Sequence, residues 1–442
     1  MPLCWKNRLL VALLLLAALP AAATDALSGD VLLIPDRVWT ADGDQAHAGW
    51  AVLVHDGAIA AVGPASGMQA PAGARRVALP GATLLPGLID LHSHVFLHPY
   101  NEMLWNDQVL KEPQDYRTLE AAAHARDTLQ AGFTTLRDLG TEGAGYADVS
   151  VKRAIDEGMI PGPRLFVATR AIVASASYGP GPRGFRPDLD LPGGAEEVSG
   201  PDQAMRAVRE QANHGADWIK LYADYRVGPD GTTVPTLTAA ELKAIVETAH
   251  LSGRPVAAHA ASDAGVRMAV EAGVDSIEHG YGASEATFRL MRQHGVAYQP
   301  TLTAVASTAE YFEHYVPGKS EPTARMQEAE RAFRTAMKVG VTIGNGSDVG
   351  VFAHGANWRE PAAMVHAGMT PAQALHAATN VAARILRQQD RFGRIAPGLR
   401  ADLAAFAGDP SQHIDDLGQP VFVMKDGTVY RSPADQPSGS TP

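Results

Sequence analysis

The chain has a single cysteine, Cys4, placed ahead of the first hydrophobic run. That scarcity excludes a disulfide framework, a cysteine nucleophile and a thiolate metal site in the body of the chain. Basic runs are missing and the formal net charge is −11, so a nucleic-acid-binding surface is not expected. Long apolar stretches are also missing. The longest, Leu9 to Leu19, is too short to span a bilayer comfortably. Lys6 and Arg8 precede it and Ala21, Ala22 and Ala23 follow, the pattern of a secretory signal peptide. Its removal would take Cys4 with it. The expectation is an exported protein, periplasmic or secreted, with no membrane attachment after cleavage.

What is present is a globular balance, 46% hydrophobic and 19% charged over 442 residues. Short β-type runs punctuated by turns fill 28–80, as in VHDGAIAAVG, and the pattern returns near the far end in RADLAAFAGDP and VFVMKDGTVYRS. Between them, apolar runs alternate with helical stretches. The runs are GLIDLHSH, FTTLRDLG, RLFVATR, DWIKLYAD, RPVAAHA, VDSIEHG, VAYQPTL and VTIGNGSD. Such alternation predicts parallel strands. The expected fold is α/β, a (β/α)8 TIM-like barrel with a small composite β-sandwich built from both chain ends. The expected boundaries are a signal peptide over 1–23, sandwich segments over 24–84 and 391–431, the barrel over 85–390, and a disordered tail over 432–442. Two long connections, 95–115 and 175–200, are candidate lids over a site.

The segment LIDLHSHVFLHP (88–99) places His92 and His94 two residues apart in an apolar run. In a strand those positions share one face, so both imidazoles can reach one metal ion. Other runs also end in polar groups: Lys220 in DWIK, His259 in RPVAAH, His279 in VDSIEH and Asp348 in VTIGNGSD. In a barrel these fall on the C-terminal rim, where active sites lie. Four imidazoles and a carboxylate suit a divalent ion such as zinc. A protonated lysine would repel the ions. As a carbamate, Lys220 would bridge two of them, with His92, His94 and Asp348 completing one site and His259 and His279 the other. Water held there would be acidic enough to serve as nucleophile, and Asp348 could carry its proton to the leaving group.

These marks, with GPRLFVATRAI, TPAQALHAATNVAARIL and GRIAPGLRADLAAFAGDP, resemble the amidohydrolase superfamily across essentially the whole chain after the leader. The resemblance implies the barrel and a binuclear zinc centre, two Zn2+ bridged by N6-carboxylated Lys220 and a hydroxide. It is to the prolidase-like and N-acyl amino acid hydrolase branch, and SDVGVFAHGANWRE and ATRAIVASASYGPGPRGF look like its ochratoxin A-degrading members. The implied substrate is a small-molecule amide whose leaving part is an amino acid with a free carboxylate, ochratoxin A among them. The implied assembly is a homo-oligomer, with an octamer as one form. Many dipeptidases of the branch carry a Gly-His pair where this chain has SASYGPGPRGF.

Further candidates come from neighbouring positions. Tyr222 shares the face of Lys220 and is placed to donate to a developing oxyanion, or to pack on the lysine stem. His354 follows Asp348 on a loop and is read as a catalytic or ligand-supporting group. Arg226, Arg183 and Arg186 are candidates to hold a substrate carboxylate. Trp105, Tyr178 and Phe185 are candidates for an aromatic wall. Arg137 and Asp138 are expected to pair inside the barrel. The competing readings are a Xaa-Pro dipeptidase, a single-metal deaminase or imidazolone-type hydrolase, and a non-catalytic relative. Lys220 argues against one metal, and VAAHAASD has no glutamate to act as the acid-base residue such enzymes carry there.

Overall fold

The computed structural model describes residues 29–181, 185–186 and 188–433. The signal-peptide expectation, the last residues of the tail and Arg183 lie outside them. Parallel strands form the centre of the chain: β1 (Leu88–Ser93), β2 (Phe133–Asp138), β3 (Arg164–Val167), β4 (Ile219–Tyr222), β5 (Val256–Ala260), β6 (Ser276–His279) and β7 (Ala297–Gln299). β1 pairs with β2 and β2 with β3, while β4, β5, β6 and β7 pair in sequence order. Between those groups the Asp217 and Trp218 amides donate to the Val167 carbonyl. The eighth run forms single parallel bridges, Ile343 to Tyr298 and Val349 to Ser93. Its peptide nitrogens also meet β1, with Asp348 donating to the His92 carbonyl at 2.8 Å.

Helices cover these strands because both faces of a parallel sheet must be buried. Their ends are set by local chemistry. Thr238 and Thr370 each cap a helix and receive a side chain back from the third helical residue, Glu241 and Gln373. Gly215, Gly273 and Gly295 close helices in the left-handed conformation. Leu88, Phe133, Leu165, Ile219, Val256 and Ile277 all belong to one buried core with the inner helix faces.

Both chain ends meet in one eight-stranded sheet, so the two terminal β segments expected to combine are joined in it. The reason is the twelve-residue strand Arg75–Pro86. It runs parallel to Val31–Val38 along much of its length and antiparallel to Leu403–Ala407 over its second half. One strand thus joins N-terminal and C-terminal segments by hydrogen bonds. Alternation along it splits the burial: Leu84 packs within this sheet's own core, whereas Leu85 packs with the parallel strands.

Candidate metal centre and active site

His92 and His94 project from β1 onto the same side as Asp348. Their Nε2 atoms lie 3.4 and 3.3 Å from Asp348 Oδ1. Two donors each about 2.0–2.1 Å from a tetrahedral zinc are about 3.3 Å apart, so the trio is spaced to hold one divalent ion. The far nitrogens are committed elsewhere. His92 Nδ1 meets Glu278 Oε2 at 2.9 Å, and His94 Nδ1 meets the Gly140 carbonyl at 3.0 Å. Such partners fix ring orientation and leave Nε2 facing the site.

His259 and His279 sit on the adjoining strands, their rings 4.4 Å apart, and the His279 ring is 5.1 Å from that of His92. His279 Nδ1 meets Thr301 Oγ1 at 2.8 Å, and His259 stacks on Tyr222 at 4.3 Å. Lys220 is fully buried, and its Nζ has no hydrogen-bond partner. A buried amine without a partner is costly when charged. Burial lowers its pKa to about 8. Burial, then the Lys220 charge, keeps His92 and His259 well below the ordinary imidazole value, which leaves them neutral as ligands must be. His279 is lowered in the same way by burial and by His259 and His92. Burial would raise Asp348, but His92 and His94 outweigh it and hold the carboxyl at about 2.

Several of these groups sit on strained backbone. His279 and Asp348 have φ of 74° and 62°, and Glu142, Thr169 and Thr301 at neighbouring strand ends are also positive. Non-glycine residues pay for that conformation, and it persists where the surroundings over-determine it, commonly at functional sites.

Above the cluster lies a cavity of about 410 Å³, a size suited to a small molecule. Tyr178, Tyr225, Tyr281 and Phe312 line its walls, and Arg226 and Arg325 bring positive charge to it. Neither arginine makes an ion pair with a described residue. Tyr178 donates to Glu142 Oε2 at 2.7 Å, and Tyr222 donates to Tyr178 at 3.3 Å. Trp105 backs this wall from outside the cavity, with its ring 5.0 Å from Tyr178 and its Nε1 donating to the same Glu142 oxygen.

Other expectations are placed differently. His354 does not line the cavity: its Nε2 meets the Leu97 carbonyl at 2.9 Å and its ring stacks on His124. It holds the loop behind His94, because the chain turns away after Asp348. Arg186 points to solvent and pairs with Asp188, and Phe185 is exposed. Arg137 pairs with Glu278 at 2.8 Å, not with Asp138, which accepts from the Val95 amide. Adjacent strand residues face opposite ways, so the expected pair could not form. Glu142, Arg325, Thr301 and Glu278 went unnoticed in the sequence. Arg325 opens an ordinary amphipathic helix, Ala324–Val339, and Glu142 sits in a glycine-rich loop.

Rim groups spaced to hold a divalent ion, at the ends of parallel strands and beneath a cavity, make a site of the kind a metal-dependent hydrolase uses. The chain belongs to the amidohydrolase family, whose profile matches residues 83–431. It is 30% identical over 389 residues to ochratoxinase of Aspergillus niger, covering 80% of this chain and 77% of that one. A crystal structure of A. niger ochratoxinase matches with a TM-score of 0.77 at 27% identity, over 92% of this chain and 96% of that one. A Xaa-Pro dipeptidase solved with methionine in its active site matches with a TM-score of 0.81 and 30% identity, over 91% of this chain and all (100%) of the other. An uncharacterised protein of Mycobacterium tuberculosis is 32% identical over 357 residues, 79% of this chain and 86% of its own length. The protein is therefore a hydrolase of this family.

Proposed function

We propose that the protein is a binuclear zinc amidase that releases a C-terminal amino acid from N-acyl amino acids or dipeptides, ochratoxin A included. The observation that carries this reading is the pair of unpaired guanidiniums, Arg226 and Arg325, in an aromatic-walled cavity directly above the ligand cluster. A free carboxylate is the group two such cations recognise, and the aromatic walls suit a bulky side chain or acyl ring.

The residues present fit two ions. His92, His94 and Asp348 would hold one, and His259 and His279 the other. Lys220, buried and unpartnered, would bridge them after its neutral amine adds to carbon dioxide and loses a proton. When bound, the ions supply Lewis-acid polarisation of the scissile carbonyl and a water acidic enough to react near neutral pH. The chain supplies the rest. Asp348, kept ionised by its imidazole neighbours, takes a proton at its carboxylate and returns it to the departing nitrogen. Tyr222 stands beside Lys220, and its long bond to Tyr178 leaves the hydroxyl able to turn toward an oxyanion. Arg226 and Arg325 fix the substrate by its carboxylate and so set which amide reaches the metal ligands. The same hydrogen bonds that carry β3 to β4 and β7 to β1 support closure of the parallel strands into an eightfold barrel. Export remains part of the proposal, on the strength of the leader pattern.

A second reading, a Xaa-Pro dipeptidase, is favoured by the Xaa-Pro dipeptidase structure that the chain resembles. One experiment separates the two. Zinc-loaded enzyme is offered N-acyl amino acids, Xaa-Pro and other dipeptides, and ochratoxin A, with Lys220→Ala as control. Phenylalanine released from ochratoxin A and lost in the variant supports the first reading, and proline release alone supports the second. No amino acid from any of them, by a protein holding two zinc ions, would reject the amidase reading.

A further inference from the structure

A second cluster of ligand-type groups lies outside the cavity, where the chain leaves β1. His98 follows that strand, Glu112 ends the helix Trp105–Lys111, and Glu120 lies in the helix Gln114–Gln130. One ligand atom from each lies within 4.8 Å of the other two. His98 Nε2 is 3.2 Å from Glu112 Oε1, close to the spacing of two donors on one ion, about 3.3 Å for tetrahedral zinc. The other ring nitrogen, Nδ1, meets Glu102 Oε2 at 3.1 Å. This repeats the pattern of His92, whose Nδ1 is held by Glu278 while its Nε2 faces Asp348. A carboxylate on the far nitrogen of a histidine is the usual support for a metal ligand.

An independent observation points the same way. The Glu112 side chain is only 10% exposed, and its Oε2 is buried with no hydrogen-bond partner. Glu120 Oε2 is buried and unpartnered too. No lysine or arginine among the described residues comes within ion-pair distance of either carboxylate. The nearest candidate, Arg117, spends its guanidinium on the carbonyls of Phe96, Thr141 and Glu142. Two carboxylate oxygens out of water without a donor call for a cation.

We propose that His98, Glu112 and Glu120 form a separate structural site for a divalent transition ion of the zinc type, with Glu102 orienting the imidazole. One imidazole and two carboxylates are a borderline donor set suited to such an ion. The site clasps segment 98–112 to the helix Gln114–Gln130. That segment carries Trp105, which backs the Tyr178 wall of the cavity.

The test uses zinc itself on the full chain. Dialysed wild-type protein is compared with Glu112→Gln and Glu120→Gln by metal analysis, and each variant is expected to hold about one ion fewer per chain. In a chain whose four rim histidines are replaced by His92→Ala, His94→Ala, His259→Ala and His279→Ala, zinc should still raise the unfolding midpoint, by about 3 °C at a hundredfold excess over Kd. Adding Glu112→Gln should abolish that rise. Equal metal content in wild type and both glutamine variants would overturn the site. So would a midpoint shift that Glu112→Gln leaves unchanged. If the rim-depleted chain does not fold, the metal analysis alone decides. Because the rim histidines are absent from the second arm, a failure of the binuclear reading does not touch this result.

Discussion

At the N-terminal end of the parallel strands, Arg164 begins β3 and reaches Asp402 at 2.9 Å and Asp426 at 3.0 Å, and Arg400 also pairs with Asp426. Two cations meet two anions there, and the Asp426 amide adds a hydrogen bond to Asp402. At the C-terminal ends of the same strands, four imidazoles, an amine and a carboxylate crowd together, and the amine has no partner. One end balances its buried charge internally. The other leaves charge and lone pairs unbalanced toward a cavity. The first arrangement holds the end-built sheet to the strands, and the second leaves donor atoms free for a ligand. Substitutions at the two ends should therefore fail in different assays.

The largest effect is expected at the rim. Lys220→Met preserves volume and removes only the amine. Amide hydrolysis should fall by on the order of 10³-fold or more, since the metal-supplied part of catalysis is worth several kcal/mol. The unfolding midpoint of the metal-free protein should hold or rise, because a buried unpartnered amine is gone. A drop in stability without loss of turnover would invert the contrast between the ends. Arg164→Ala should show the opposite profile. Removing one partner of a buried ion cluster costs about 3–5 kcal/mol of stability. Denaturant titration should register that loss while kcat below the transition stays near wild type.

The rim was the more legible of the two ends, and the reason is physical. Each polar rim group there terminates an apolar run, and position i to i+2 logic puts His92 and His94 on one face without any tertiary knowledge. The Arg164 cluster joins residues more than two hundred positions apart, and nothing local in RADL or KDGT announces a partner in β3. Glu142 and Arg325 escaped for the same reason: their neighbours are supplied by other loops. The pairing expected of Arg137 with Asp138 ignored alternation, the same rule that succeeded at His92 and His94. The sheet joining both ends was visible as paired β patterns, but its single-sheet form depends on the length of Arg75–Pro86.

Just behind the rim, Glu360 sharpens the comparison. It accepts from the Leu302 and Thr303 amides at 2.9 and 2.8 Å, yet burial pushes its carboxyl up to about 8. The folded value lies above the unfolded one, so its contribution to stability is complete below about pH 4.5 and is lost as pH rises through 8. Across that window it should be worth on the order of a few kcal/mol. Glu360→Gln keeps the acceptor to one amide and cannot ionise. The wild type should lose stability relative to this variant between pH 5 and 8 in denaturant titrations, and parallel pH profiles would show that the carboxyl is ionised in the fold.

The smallest effect on turnover belongs to Glu278, the residue where the two kinds of buried charge meet. One oxygen takes the Arg137 guanidinium at 2.8 Å and the Ser276 hydroxyl at 2.7 Å, so it is balanced like the Asp402 end. The other oxygen holds His92 Nδ1 at 2.9 Å and so faces the rim. Glu278→Gln keeps the shape and an acceptor for one neighbour but discards the charge. Removing such a support behind a ligating histidine typically weakens metal binding 10–100-fold. A chelator competition should read that loss, about 1.4–2.7 kcal/mol, while turnover at saturating zinc recovers most of the wild-type rate. Unchanged affinity with lowered stability would assign Glu278 to the balanced end alone, as a counter-ion for Arg137. Weakened affinity with little change in stability would place it with the ligands it orients.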